Sequence, residues 1–398
     1  MKNSKIEISG WSLLAGIGAP VLIVLLLVSC SSEVDLQPPQ EFAGLENLTI
    51  YPLDKEEVSE VQFEPLASYA GDGGSSGFRI ADIAVDSDRR VFIANSEINR
   101  IHVFSEDGSQ LGLLGNEGSG PGQFLAIRKM DTDDENLYVY DTGLLAMQVF
   151  RLEDYRLTER FSLYLNVEEE EEFSQMRPSS FHLRSDGSFL VPFTPLFTAD
   201  NQDDTLQAHF YPMNRDGELI SVSTFSHEMA EYLFGEYEGN PVAMPSPYSG
   251  RSLLRVGNED QIFANWTEDL LVRVYDSNGQ YLRAFYHPLR KAALDSEELL
   301  ERFQAEWQRF LILSYEAPAI WPVVQEMVID DLNRIWIATI TDEPTVYQWW
   351  VMDEYGEPLA NFEWPVTRMV REVFGEDLYA EERIGPNESI VIRYRTEF

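Results

Sequence analysis

Hydrophobic and polar positions alternate along the chain in short runs, and turn residues separate the runs. Each run is rich in β-branched and aromatic residues, and each turn contains Asp, Asn or Gly, which is typical of strand–turn–strand units. One hairpin recurs five times, at residues 80–95, 129–141, 180–193, 253–266 and 326–339. A second hairpin follows each of these, at residues 100–115, 147–161, 209–225, 271–285 and 349–364. The pattern therefore predicts five consecutive four-stranded sheets.

A sixth unit is divided between the two ends of this pattern. Residues 377–395 supply further strands after the fifth unit, and "EVQFEPLASY" at 60–69 is a lone strand before the first. Pairing of these two segments would close a ring of sheets and cover the open edges. We therefore predict an all-β fold, a six-bladed β-propeller closed by an N-terminal strand that completes the C-terminal blade.

The segment "GNEGSGPGQF" at residues 115–124 has the composition of a glycine-rich phosphate-binding loop. It lacks the Gly-Lys-Ser/Thr ending of such loops, and no helix is predicted after it. We interpret it instead as the crossover between two blades, with Phe124 filling the gap. Residues 78–124 as a whole resemble an NHL-type repeat. As a whole, the chain resembles the six-bladed propeller lipoproteins of Bacteroidetes-type bacteria, which implies a propeller carried by a lipid anchor.

The N-terminal sequence supports such an anchor. Two lysines precede an apolar run that ends at Cys30, the only cysteine. The run is about 19 residues, long enough to span a bilayer, so a retained membrane anchor is one interpretation. However, residues 27–30, "LVSC", resemble a bacterial lipobox. This resemblance implies that residues 1–29 are a signal peptide and that Cys30 is lipidated.

The domain boundaries follow from this interpretation. Residues 30–57 are expected to hold the lipidated cysteine and a polar tether, and residues 58–398 the propeller. Because Ser31 rather than Asp follows the cysteine, the expected location is the outer membrane, on its periplasmic or its outer side. The chain should therefore contact the membrane through Cys30 and lie in the cell envelope.

The net charge of −39 excludes one class of partner. Binding to nucleic acid requires clustered Lys and Arg that neutralise phosphates, so no nucleic-acid partner is expected. The acidity fits either a protein from a saline habitat or a generally acidic exported protein.

Three long connections are predicted on one face of the propeller. They span residues 194–208, 226–250 and 286–320, whereas the turns on the opposite face are short. Ligands commonly bind at the loop-rich side of such a scaffold. The insertion at about 286–320 has helical periodicity from residue 295, and its apolar face is expected to pack onto the propeller as a lid or, alternatively, to bind another protein.

Basic residues open the first strand of most blades, next to the predicted central channel. They are Arg79, Arg128, Lys129, Arg177, Arg251 and Arg368. Such a ring would attract an anion, because guanidinium groups match carboxylate or phosphate oxygens. The alternative is that each base pairs with a neighbouring carboxylate such as Asp82.

Two functions are consistent with these features. The first is an envelope-anchored binding or scaffolding module, without catalytic residues or a required cofactor, for an anionic small molecule, a glycan or an envelope protein. The second is a calcium-dependent hydrolase or lyase acting on a lactone or anionic carbohydrate, implied by a resemblance to six-bladed lactonases. Calcium would then be held by Asp82, Gln325 and Glu326, and "DNQDD" at 200–204 is a further calcium candidate.

Overall fold

The computed structural model of the chain describes residues 38–71, 77–163, 176–196, 206–221, 225–303 and 305–398. The first three strands lie near the N-terminus: β1 (Leu48–Ile50), β2 (Ser59–Glu60) and β3 (Gln62–Tyr69). Cys30 and the predicted signal peptide lie outside the described residues, so the lipid anchor stays a prediction. Among the described residues, no helix has the length and apolarity needed to cross a bilayer.

The first three blades follow in chain order. Blade 1 contains β4 (Ile80–Val85), β5 (Val91–Asn95), β6 (Arg100–Phe104) and β7 (Gln110–Leu114). Blade 2 contains β8 (Ile127–Thr132), β9 (Asn136–Asp141), β10 (Ala146–Arg151) and β11 (Leu157–Ser162). Blade 3 contains β12 (Met176–Pro178), β13 (His182–Leu183), β14 (Phe189–Pro195), β15 (Gln207–Met213) and β16 (Phe225–Glu228). Both β12 and β13 pair with β14, so together they form the innermost strand of blade 3.

A separate hairpin and two short helices accompany the remaining blades. The hairpin is β17 (Tyr232–Tyr237) and β18 (Asn240–Pro245). Blade 4 contains β19 (Ser252–Val256), β20 (Ile262–Trp266), β21 (Leu270–Tyr275) and β22 (Tyr281–His287), and is followed by α1 (Ser296–Glu301) and α2 (Glu306–Leu313). Blade 5 contains β23 (Val324–Ile329), β24 (Ile335–Ile340), β25 (Val346–Met352) and β26 (Pro358–Pro365). Blade 6 contains β27 (Arg368–Phe374), β28 (Asp377–Arg383) and β29 (Ser389–Glu397), with β3 as its fourth strand.

The ring closes as the sequence predicts. Strand β3 pairs antiparallel with β29, from Tyr69 opposite Val391 to Gln62 opposite Glu397. An ionic contact then joins blade 6 to blade 1, because the Arg393 guanidinium lies 2.6 Å from Glu106 Oε1 of blade 1. Within blade 6, the same guanidinium lies 3.0 Å from Asp377 Oδ2. The fold is therefore a six-bladed β-propeller whose last blade uses strands from both ends of the described chain.

A turn that contains a paired Asp and Arg occurs in two blades and forms a hydrogen bond to the next blade in each case. In blade 1, Asp86 accepts hydrogen bonds from the backbone N–H and Nε of Arg90, whose Nη1 donates to the Leu152 carbonyl of blade 2. In blade 5, Asp330 and Arg334 repeat the arrangement. Arg334 then donates to the carbonyl of Gly375 in blade 6. Since these carboxylates are buried, the bonds of the paired arginines offset the cost of desolvating them.

The N-terminal residues before β3 follow the outer rim of the ring. Strand β1 pairs parallel with β22 of blade 4, and β2 pairs parallel with β26 of blade 5. Phe42 is buried with its ring centroid 5.5 Å from that of Tyr286. We call residues 38–61 the N-terminal strap. Part of the segment expected to be a polar tether therefore covers the edges of two blades.

The insertions form a small core of their own. Asp295 Oδ1 accepts the N–H of Glu297 as α1 begins, at the predicted start of the helical segment. The predicted helix is interrupted, however, and α2 packs Leu311 against the β17–β18 hairpin beside Leu233 and Met244. The lid expected to pack on the propeller thus rests mainly on a second insertion.

The glycine-rich segment connects β7 to β8, as expected for a crossover. Phe124 is fully buried between blades 1 and 2. The segment is fixed by Gln148, which accepts a hydrogen bond from the Gly122 N–H at 2.8 Å and donates to the Gln123 carbonyl at 2.7 Å. Gly115 and Gly122 both have φ near +70°, at 72° and 73°. A Cβ on Gly115 would overlap the Phe124 ring, whereas a Cβ on Gly122 would meet nothing within 4 Å.

These two glycines provide a matched test of the crossover. Both Gly115→Ala and Gly122→Ala place an L-residue in the left-handed region, which costs roughly 1–2 kcal/mol. Gly115→Ala should lower the free energy of unfolding by about 1–3 kcal/mol more, because Phe124 must also move. Urea denaturation of both variants measures the difference, and equal losses would contradict this packing.

Candidate binding site

The central channel contains a cavity of about 610 Å³ to which all six blades contribute. Its lining comes from the innermost strands and from the turns that follow them, for example Ser87, Asp134, Ser185, Asn258 and Asp331. Innermost strands run in one direction along the axis, so these turns share one end of the channel. The cavity therefore reaches the face of the short turns, opposite the long connections where the sequence suggested a ligand.

Bulges in the innermost strands select the side chains that enter the cavity. In four blades the pairing shifts by one residue, between Ile80 and Asp82, Ile127 and Lys129, Val324 and Glu326, and Val370 and Glu372. A β-bulge bends the strand and changes the direction of the side chains that follow. In each case the residue after the shift is charged and lines the cavity.

Two ion pairs cross between neighbouring blades in the channel. Lys129 Nζ lies 3.4 Å from Asp82 Oδ2, which also accepts the Met130 N–H at 2.7 Å. On the other side, Arg255 Nη2 lies 2.8 Å from Glu326 Oε1, which also accepts the Met327 N–H at 3.0 Å. These contacts hold carboxylates and bases in fixed positions around the channel axis.

Three of the other titratable groups in the channel have shifted pKa values that bear on its chemistry. Burial raises the pKa of Glu372 to about 8, with the negative charges of Asp131 and Asp82 adding to the rise against the opposing effect of Lys129 and Arg255. Burial also raises the pKa of Asp131, although Lys129 opposes the change. Burial, together with the positive charges of Lys129 and Arg255, lowers the pKa of His182 to about 3. At neutral pH Glu372 is therefore mainly a neutral hydrogen-bond donor, and His182 is a neutral imidazole.

Of the six bases predicted to form an anion site, Lys129 lines this cavity. The other five, Arg79, Arg128, Arg177, Arg251 and Arg368, lie at or before the start of the innermost strands, toward the opposite end of the channel. Arg79 and Arg128 are exposed, and Arg177 donates to the carbonyl of Met176. Arg251 donates to the carbonyl of Gln325, and Arg368 lies 3.1 Å from Glu382.

Several residues of the cavity were not among the predicted site residues. They are Asp131, His182, Arg184, Arg255 and Glu372. Their signal was a polar side chain within an apolar strand, as in "SLLRV" for Arg255. Most of the predicted bases stand instead at strand starts, which lie toward the other end of the channel.

The carboxylates expected to hold calcium have other partners. Asp82 and Glu326 each contact a base and a backbone N–H, and the Gln325 carbonyl accepts from Arg251. Within the described ranges, no three His, Cys, Asp or Glu side chains are grouped as metal ligands. The second candidate, residues 200–204, lies outside them.

The raised pKa of Glu372 predicts a pH dependence of stability. The folded chain holds this proton up to about pH 8, whereas an ordinary glutamate, with a pKa near 4.5, releases it earlier. This group's contribution therefore falls as the pH rises from about 4.5 to about 8. Glu372→Gln removes the effect, so its free energy of unfolding relative to wild type should increase across this window and then level off. Urea denaturation of both proteins at several pH values measures this difference, with the exposed Glu388→Gln as control. A difference that does not change with pH would contradict the raised pKa of Glu372.

The fold connects this chain to other propellers. A model of the DUF5128 family, described as a 6-bladed beta-propeller, matches residues 78–233. No curated protein matches the chain. A putative exported protein from Bacteroides fragilis is 12% identical and aligns over 88% of this chain and 99% of its own, with a TM-score of 0.51. A DUF4221-family member from Bacteroides vulgatus is 13% identical over 85% of this chain and 99% of its own, with a TM-score of 0.52. At these identities the likeness concerns architecture, and the chain is similar in fold to these two Bacteroides proteins.

Proposed function

We propose that the chain is an envelope-anchored binding protein whose channel holds a hydroxyl-rich small molecule, such as a short glycan. The observation that carries this proposal is the cavity built by all six blades, with charged side chains fixed by bulges and ion pairs. Its volume, about 610 Å³, falls in the range of small-molecule sites.

The chemistry of the lining favours hydroxyl groups over a simple anion. The cavity holds four basic side chains: Lys129, Arg184, Arg255 and Arg371. It holds nine acidic ones: Asp82, Asp131, Asp133, Asp134, Asp260, Glu326, Asp330, Asp331 and Glu372. An anion would meet this excess of carboxylates. A hydroxyl group both donates and accepts, so it can bind between paired acids and bases without disturbing their charge.

The predicted anionic ligand remains an alternative at the other end of the channel. Of the predicted bases at that end, Arg79 and Arg128 are exposed. A carboxylated sugar at that end would use guanidinium hydrogen bonds rather than the mixed lining of the cavity.

The lipid anchor is the second part of the proposal. It rests on the lipobox-like sequence at residues 27–30. The outer membrane is the proposed site, as Ser31 suggests. Incorporation of a labelled fatty acid into wild type, and its loss in Cys30→Ser, is the expected result; equal labelling would refute lipidation of Cys30.

Saccharide binding tests the channel directly. A panel of neutral and uronic-acid oligosaccharides is titrated against wild type and the charge-neutral pair Arg255→Gln with Glu326→Gln. We expect the affinity for the bound saccharide to fall at least about tenfold, since hydrogen bonds to charged groups each contribute roughly 1.5–3 kcal/mol.

The control for this experiment is Arg79→Ala with Arg128→Ala, which changes the opposite end. Its saccharide affinity should equal that of wild type. If only this control loses binding, and only for uronates, the ligand site is at the other end and the channel proposal is wrong. If no saccharide binds wild type, the proposed ligand class is wrong.

A further inference from the structure

A second cavity, of about 510 Å³, lies between the N-terminal strap and blades 3 and 4. The strap contributes Glu41 and Phe42, and β16 contributes His227 and Glu228. Blade 4 contributes five residues: Trp266, Glu268, Asp269, Leu271 and Arg273. It shares no lining residue with the channel cavity.

Aromatic side chains in fixed positions line part of this cavity. Trp266 is half-buried, and the backbone of Gly250 packs so closely on its indole that a Cβ there would overlap the ring. Phe42 is held by its edge-to-face contact with Tyr286. The indole therefore presents a preorganised surface and needs no rearrangement to receive a ligand.

The polar lining has an excess of negative charge. Four carboxylates, from Glu41, Glu228, Glu268 and Asp269, face a single guanidinium, from Arg273. Lys291, 3.4 Å from Asp269, balances one of them. His227 adds no positive charge at neutral pH, because burial lowers its pKa. Its hydrogen bond to the Glu228 backbone opposes this change, and the positive charge of Arg273 adds to it.

An indole surface beside carboxylates suits one ligand class in particular. A substituted ammonium ion gains from the π-face and from the surrounding negative charge together. A hydrated inorganic cation would not use the indole, and a neutral sugar would not use the excess charge.

We propose that this cavity binds an organic ammonium ion, with Trp266 as its aromatic contact and Glu228 and Glu268 among its counter-charges. Because Glu41 and Phe42 belong to the strap, the bound cation also stabilises the contact of the strap with blades 3 and 4.

The experiment compares choline with its uncharged isostere, 3,3-dimethylbutan-1-ol, on the full chain at constant ionic strength. The readouts are the NMR signal of the Trp266 indole N–H, assigned by its loss in Trp266→Ala, and calorimetric titration. We expect choline to shift this signal and to bind, with the isostere at least about tenfold weaker. Equal binding of the two would overturn the proposal, because the cavity would then be merely apolar.

Two variants locate the site without relying on one side chain. Trp266→Ala should weaken choline binding at least about tenfold. Glu228→Gln with Glu268→Gln changes only exposed side chains and should leave the fold intact while also weakening binding. The control, Glu388→Gln, lies on blade 6 and should bind as wild type does. Unchanged affinity in the double variant, or displacement of choline by an equal concentration of sodium ions, would overturn the assignment.

Discussion

The pairing of β3 with β29 is the interaction on which the rest of the structure depends. Each blade is a twisted sheet that cannot bury both faces alone, so stability requires a neighbour on each side. The pairing supplies that neighbour to blades 6 and 1, where Tyr69 is fully buried and its hydroxyl donates to the Glu106 carbonyl at 3.0 Å. Only in a closed ring do all six innermost strands face one axis.

Closure also explains how charged residues can occupy the centre of the molecule. A lone carboxylate in such a place would be strongly disfavoured, but adjacent blades offer a base to Asp82 and another to Glu326. Both pairs remain partly exposed in the channel, where ion pairs contribute little to stability, so stability alone does not account for them. Their place in the wall of the channel cavity agrees with the proposed polar ligand.

The sequence was sufficient for the fold but not for the site. Turn residues and the alternation of polar and apolar positions identified the blades, because both signals are local in the sequence. The lone strand at 60–69 identified the closure, because it had no other partner and the last blade had an unpaired edge. In the innermost strands, the alternation of polar and apolar positions did not predict which side chains enter the channel, because bulges shift the strand pairing by one residue. For example, the sequence assigns Arg128 and Lys129 to one anion site, although a bulge lies between Ile127 and Lys129. The strap was missed because β1 and β2 are only three and two residues long.

Hydrogen exchange followed by mass spectrometry tests the closure most directly. If β3 completes blade 6, the amides of residues 62–69 that bond to β29 should exchange as slowly as those of β28 and β9, because all require the same cooperative opening. Rapid exchange of 62–69 and 391–397, with residues 136–141 still protected, would contradict a ring closed by this pairing.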